Sequence, residues 1–291
     1  MVSVDQSAPA VDPTLASRAH RATEPLHNHL YFAPEQDEYL TAVGIRPGRM
    51  CYFAGRAAPM GAVGPGVVTA TFYNFSPTLV ARLIPRAWTL ASPEQVVAAR
   101  LDAARASLTR LLGDAATSPE IEELAGLLRE ACSALTPEGR PLYAGHADQA
   151  WPEEPLLQVW HGATLLREHR GDGHIAVLVR HGLSGIEALQ SHSATGRGFT
   201  PAAAQALRGY TDEEWSAAAA RLAERGLVVD GDLTEAGQQL RAQIEAETDA
   251  LAVEPWAHLG AERTARVVEL GKPLSARIAA AGAYPDGVFG K

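Results

Sequence analysis

Lysine is almost missing from this chain: Lys272 and Lys291 are the only two among 25 basic residues. Together with abundant alanine, that reads as a high-GC coding bias and not as a nucleic-acid signature. Acidic residues number 34, and the formal net charge of −9 argues against a protein that depends on generic attraction to phosphate. Cysteine is scarce as well. Cys51 and Cys132 do not make a disulfide framework, and no CxxC or Cys/His metal spacing occurs. No stretch reaches the roughly 18 apolar residues of a membrane span, and the N-terminus has no charged region followed by an apolar run. A reducing cytoplasm and no membrane are therefore expected. A serine nucleophile elbow, a phosphate-cradling glycine loop and a dinucleotide fingerprint are also missing; Gly61, Gly64 and Gly66 have the wrong spacing.

What is present suffices for a sizeable core. With 291 residues, 46% of them hydrophobic and 20% charged, the chain is long enough for two globular units. Residues 1–24 are polar, carry Pro9 and Pro13, and read as a mobile arm. A short helix is expected from Pro34 to Gly44, and firmer ones over Pro77–Trp88, Pro93–Leu112 and Pro119–Leu135, the last two opened by Ser-Pro-Glu. Val67–Phe75 leaves strand and helix both open. The Pro- and Gly-rich stretch 136–155 reads as the boundary between halves 25–150 and 151–291. In the second half, Thr211 followed by Asp212-Glu213-Glu214 opens a helix that ends at Gly226. Next, Leu227–Leu233 reads as a hairpin with Asp230-Gly231 at its turn, and Thr234 opens a long helix through Leu251.

This order of helix, Arg225-Gly226-Leu227-Val228, short wing, Leu233-Thr234-x-x-Gly237 and long helix resembles the MarR-type winged helix-turn-helix over about residues 183–251. There the pieces are the recognition helix, the wing and the dimerisation helix. More broadly, Tyr73-Asn74-Phe75-Ser76-Pro77, the segment Arg167–His174 and Glu254-Pro255-Trp256 together resemble an actinobacterial, SalK-like family of helix-turn-helix-derived proteins. That resemblance implies a fold and brings no settled activity. A weak internal repeat places Gly66-Val67 on Gly182-Leu183, with Arg56 near the position of Arg167. The expected architecture is mainly α: tandem, pseudo-duplicated winged helix-turn-helix units with small β-wings and long connecting helices. The chain would then be a monomer with internal pseudo-symmetry, or a homodimer.

The densest chemistry lies in Arg167-Glu168-His169-Arg170-Gly171-Asp172-Gly173-His174, set between apolar stretches and read as a helix break. Burying so many ionisable groups is costly unless they pair, so a hydrogen-bonded network is expected. Three readings stay open. In the first, the ions pin a helix break and His174 caps the next helix. In the second, His169 and His174 exchange protons near neutral pH, Glu168 and Asp172 tune them, and Arg167, Arg170 and Arg56 hold an anion, with Tyr73 and Asn74 lining the cavity. In the third, Glu168, His169, Asp172 and His174 hold a metal, although the glycines spoil regular spacing and no HExxH pattern occurs. The second reading is preferred, without a metal. His161 beside Trp160 reads as a core histidine, and the cysteines as inert.

The candidate reading head opens with Asp212-Glu213-Glu214, and the wing tip is Asp230-Gly231-Asp232. Both would set carboxylates against a phosphate backbone, so DNA is not expected as a partner unless Arg197, Arg208, Arg221 and Arg225 assemble a basic surface. The expectation is a small-molecule-binding protein, as a binder or an enzyme of specialised metabolism, that has lost DNA binding and takes an anionic ligand. The alternative is a ligand-responsive MarR-type regulator. No particular cofactor is implied.

Overall fold

A computed structural model describes residues 11–290. These form fifteen α-helices and one two-stranded hairpin. No described helix is long and apolar enough to cross a membrane. Pro9, part of the expected arm, lies outside the described residues.

The arm reading fails from Pro13 onward. Helix α1 (Pro13–Asn28) starts on Pro13, with the Asp12 side chain accepting from Thr14 N at 2.9 Å. Its Ala16, Ala19, Ala22 and Leu26 are buried against α15 (Ala261–Ala280). A Cβ on Gly271 would stand 2.8 Å from the Ala22 carbonyl, so the two backbones touch through small side chains. An interface built on alanine and glycine leaves little apolar signal in the sequence.

The first half continues with α2 (Pro34–Ala42), α3 (Arg49–Ala57), α4 (Pro65–Thr71), α5 (Pro77–Ala87), α6 (Pro93–Leu112), α7 (Pro119–Cys132) and α8 (Pro141–Ala147). Every one of these except α3 has proline in its first turn. The open segment 67–75 is therefore helix α4 followed by a turn, and the only sheet among the described residues lies in the second half.

Helix α9 (Pro155–Arg180) is the axis of the molecule, 26 residues and about 39 Å long. Its first turns join α1, α6, α7, α14 (Glu254–Leu259) and α15 in the largest core, while Val177 and Leu178 join the core of the C-terminal unit. The largest core thus draws on both sides of the boundary expected near residue 150. Nor is there a break at Gly171-Asp172-Gly173: the helix runs straight through it. A Cβ at Gly171 would fall 2.5 Å from Arg167 Nη1, and one at Gly173 2.6 Å from Arg140 Nη1. These glycines make room for guanidinium groups, at a helix-propensity cost of about 1 kcal/mol each.

The C-terminal unit comprises α10 (Gly185–Ser193), α11 (Pro201–Arg208), α12 (Asp212–Glu224), the hairpin β1 (Val228–Val229) and β2 (Asp232–Leu233), and α13 (Glu235–Ala250). Gly209, left-handed at φ 74°, ends α11, and Thr211 and Glu214 form the capping box of α12. The hairpin turns on Asp230 (φ 52°) and Gly231 (φ 88°), the left-handed pair of a type I′ turn, and pairs Val228 with Leu233. Gly237 has a packing reason. A Cβ there would stand 2.0 Å from the Leu227 carbonyl, so the wing closes onto the start of α13 only over a glycine. An exposed helical Gly→Ala change stabilises by about 0.5–1 kcal/mol, whereas Gly237→Ala is expected to destabilise by about 1–3 kcal/mol through overpacking. Chemical denaturation reads the sign directly, and a gain in stability would contradict this packing.

Candidate functional site

Helix α9 presents Glu168 to the interior with no solvent exposure. Its Oε1 accepts from Arg56 Nε (3.2 Å) and Nη2 (2.8 Å), and its Oε2 from Arg56 Nη2 (2.8 Å) and Arg167 Nη1 (2.9 Å). Arg56 comes from α3, donates to Tyr52 Oη at 2.8 Å, and lies over the Phe72 ring at 4.6 Å. Burial alone would raise the Glu168 carboxyl, yet Arg56 and Arg167 hold it well below the usual carboxylate range. Arg56, expected in the same pocket as Arg167, meets it around one acid.

Three contiguous cavities meet at Arg167. The first, 810 Å³, is walled by Tyr31, Phe32, Tyr52, Phe199, Tyr284 and Phe289, with Arg49, Arg167 and Arg208 among them and Glu24 and Asp37 at its edge. The second, 210 Å³, lies over Glu168 and includes Tyr73, Asn74, Asp172 and His174. The third, 1080 Å³, opens between α1, α9 and α13 and includes Arg170, His174, His192 and Arg241.

Positive charge exceeds negative in this region. Glu24 is held at about 2: burial works to raise it, but the His20 hydrogen bond and the charges of His20, Arg167 and Arg170 prevail. Asp37 accepts from Gly48 N at 2.8 Å. By contrast, Arg49, Arg100 and Arg208 have no carboxylate within ion-pairing distance among the described residues. Arg208 lies between Phe75 (4.3 Å) and Phe199 (4.7 Å), and burial with neighbouring arginines pulls it down to about 10. Burial works to raise the Tyr52 phenol, yet Arg56, Arg208 and Arg167 together hold it below its usual value.

Of the other residues singled out in the sequence, Tyr73, Asn74, Asp172 and His174 line the second cavity beside Glu168, whereas His169 and Arg170 do not. His169 faces away from the cavities, edge-on to Tyr143, and its carbonyl accepts from Arg140. His174 reaches Thr248 Oγ1 at 2.9 Å and lines the second and third cavities. Burial, then nearby arginines, push both imidazoles down to about 3. Asp172 accepts from Leu142 N and Tyr143 N, both at 2.9 Å, and so caps α8. It does not open a new helix, and neither does His174. Burial pushes Asp172 up to about 6. Arg170 pairs with Asp249 at 2.7 Å; Tyr73 donates to the Leu183 carbonyl at 2.7 Å; Asn74 lines the second cavity. Among the described residues no three His, Cys, Asp or Glu side chains converge for a metal.

Of the four arginines that a basic surface would need, Arg197 is exposed and the other three are engaged within the fold. Arg208 points into the first cavity, Arg221 pairs with Glu187 at 2.9 Å, and Arg225 donates to the carbonyls of His181 and Gly182. What the sequence reading missed is His27, Tyr31, Tyr52, Arg49 and Arg100. Arg100 left a signal: it shares the buried face of α6 with Val96, Ala103 and Ala104.

A family model described as a helix-turn-helix family matches residues 16–285. The chain belongs to this helix-turn-helix family. Comparisons with curated proteins and with solved structures gave no match. By their order α11, the turn Gly209-Tyr210-Thr211 and α12 form a helix-turn-helix arrangement. In this helix-turn-helix protein the first helix of that motif forms one wall of the aromatic cavity through Leu207 and Arg208.

Five histidines are buried and His174 is half-buried: burial lowers His27 well below its usual value, His29 and His161 to about 4, and His146, His169 and His174 to about 3, which favours neutral rings. Unfolded, each regains a pKa of about 6.5 and binds a proton that the folded state refuses, so their contribution is intact above that value. It is lost as pH falls from about 6.5 toward 3–4. Asp172, raised to about 6, works the other way as a single group. Between pH 7.5 and 5 the melting temperature is expected to fall on the order of 10 °C. A flat melting profile over that interval would show that these rings are not neutral in the fold.

Proposed function

We propose that this protein binds a small molecule with an anionic group and an aromatic or apolar body, in the cavity where Arg49, Arg167 and Arg208 meet the aromatic wall. The observation that carries the proposal is the unbalanced charge there: Arg208 lies within an 810 Å³ cavity with no carboxylate partner among the described residues. An incoming carboxylate, sulfonate or phosphate would complete it with charge-assisted hydrogen bonds. The winged arrangement supports a MarR-like ancestry, and the same cavity serves a binder or an enzyme of specialised metabolism. The acidic first turn of α12, the Asp230-Gly231-Asp232 wing tip and the internal engagement of Arg208, Arg221 and Arg225 favour a scaffold that has lost DNA binding.

One observation favours a second reading, a ligand-responsive regulator. Because Leu207 and Arg208 belong to α11, a ligand in the cavity would touch the helix-turn-helix motif itself. Binding would then change DNA affinity, which a DNA titration across a salt series with and without ligand would reveal.

Arg208→Gln removes the charge without stranding an acid. With the fluorescent aromatic sulfonate 8-anilinonaphthalene-1-sulfonate, the wild-type protein is expected to bind one equivalent. Affinity should be about tenfold weaker in Arg208→Gln, equivalent to the loss of one charge-assisted contact. Equal affinity for both proteins, or for wild type and acid-unfolded protein, would remove the proposal's support.

A further inference from the structure

Behind the aromatic cavity lies a hydrogen-bonded chain that none of the roles above uses. Tyr31 lines the cavity and is half-buried; its Oη is 2.6 Å from Nε2 of His27, which is fully buried. On the other side of the imidazole, Nδ1 is 2.7 Å from Thr164 Oγ1, and that hydroxyl is 2.8 Å from the Trp160 carbonyl. The carbonyl only accepts, so the Thr164 hydroxyl donates to it and is left to accept from His27. Nδ1 therefore carries the ring proton, Nε2 offers its lone pair, and the Tyr31 hydroxyl donates to it. One arrangement satisfies all three contacts. Glu168 Oε1 stands 3.8 Å from the same Nε2.

We propose that Tyr31 and His27 form a proton-accepting pair for a hydroxyl or N–H group of the ligand in the aromatic cavity. The proposal rests on reading that cavity as a ligand site. In the step, the ligand's proton passes to the Tyr31 oxygen while the proton of Tyr31 passes to His27 Nε2. The ligand keeps the electron pair of the broken bond as an anion, and His27 becomes an imidazolium held by Thr164 on one side and Glu168 on the other. The arrangement follows the logic of a reactive hydroxyl, a base within hydrogen-bond reach and a third group that fixes the base's tautomer. The ligand anion forms where Arg167 and Arg208 raise the positive potential, so charge develops toward preorganised donors. At rest the pair is neutral. Burial holds His27 low and Tyr31 high, against the opposing pull of Glu168 on the histidine and Arg56 on the phenol, with Arg100, Arg167 and Tyr52 also facing the pair. The proton therefore stays on Tyr31 until a ligand delivers another.

The test uses 4-nitrophenol, a phenol that titrates near neutrality and turns yellow when ionised, with histidine-labelled protein observed by nitrogen NMR. Without ligand, His27 is expected to show the Nδ1–H tautomer. On binding at about pH 6, nitrophenol is expected to turn yellow while His27 takes the imidazolium pattern. In Tyr31→Phe, which keeps the ring, the bound phenol should ionise about one pH unit higher, a tenfold change, and His27 should stay neutral. His27→Gln should repeat the shift in colour. Yellow nitrophenol with neutral His27 in the wild-type protein, or an unchanged colour in Tyr31→Phe, would overturn the pair's role while leaving the ligand site standing. If nitrophenol does not bind at all, the reading of the cavity fails as well.

Discussion

The carboxylate of Glu168 is the group on which the rest of the arrangement depends. It carries negative charge at a point with no solvent exposure, and Arg56 and Arg167 take up its two oxygens. Such a network adds little stability over a well-packed apolar core, but removing one partner leaves a buried charge uncompensated, at a cost of about 3–5 kcal/mol. Its structural effect is to fix α3 against α9 and to hold Arg167 at the junction of the three cavities. Because α9 also carries Asp172, which caps α8, and His174, which reaches α13, one helix sets the register of both halves.

The electrostatic consequence is directional. One fully buried acid is set among Arg56, Arg100, Arg167 and Arg208, so the interior favours a depressed Tyr52 phenol and an incoming anion, while burial first and arginines among these second keep His27 and His146 neutral. Anion binding and the stabilisation of a ligand anion beside the Tyr31–His27 pair draw on this positive charge, whereas acid sensitivity follows from the burial of the histidines.

Much of the frame was legible because it rests on local rules. Proline at the first helical position and Ser or Thr caps marked α5, α6, α7, α12 and α13, and Asp230-Gly231 marked the wing. What escaped depends on tertiary contact. Gly171 and Gly173 read as a break in sequence, yet in the fold they clear space for Arg167 and Arg140. Helix α1 packs through alanines, which carry no strong periodic signal. At the site, the cluster's centre was legible in Glu168 and Arg167, and Arg56 entered through a weak repeat. His169 turned elsewhere because neighbouring residues of a helix point in different directions, while Asp172, one turn on from Glu168, lines the second cavity and is held by the start of α8. Tyr31 and Arg208 come from segments some 135 and 40 residues from Glu168, beyond the reach of any local pattern.

The central claim is that the aromatic cavity holds an anion through Arg167 and Arg208, and a crystal structure of the protein soaked with 8-anilinonaphthalene-1-sulfonate tests it most directly. The account predicts the rings against Tyr52 and Phe199 and the sulfonate within hydrogen-bonding distance of both guanidiniums. A sulfonate pointing to solvent with the rings elsewhere on the surface, or a cavity filled by side chains in their place, would contradict it.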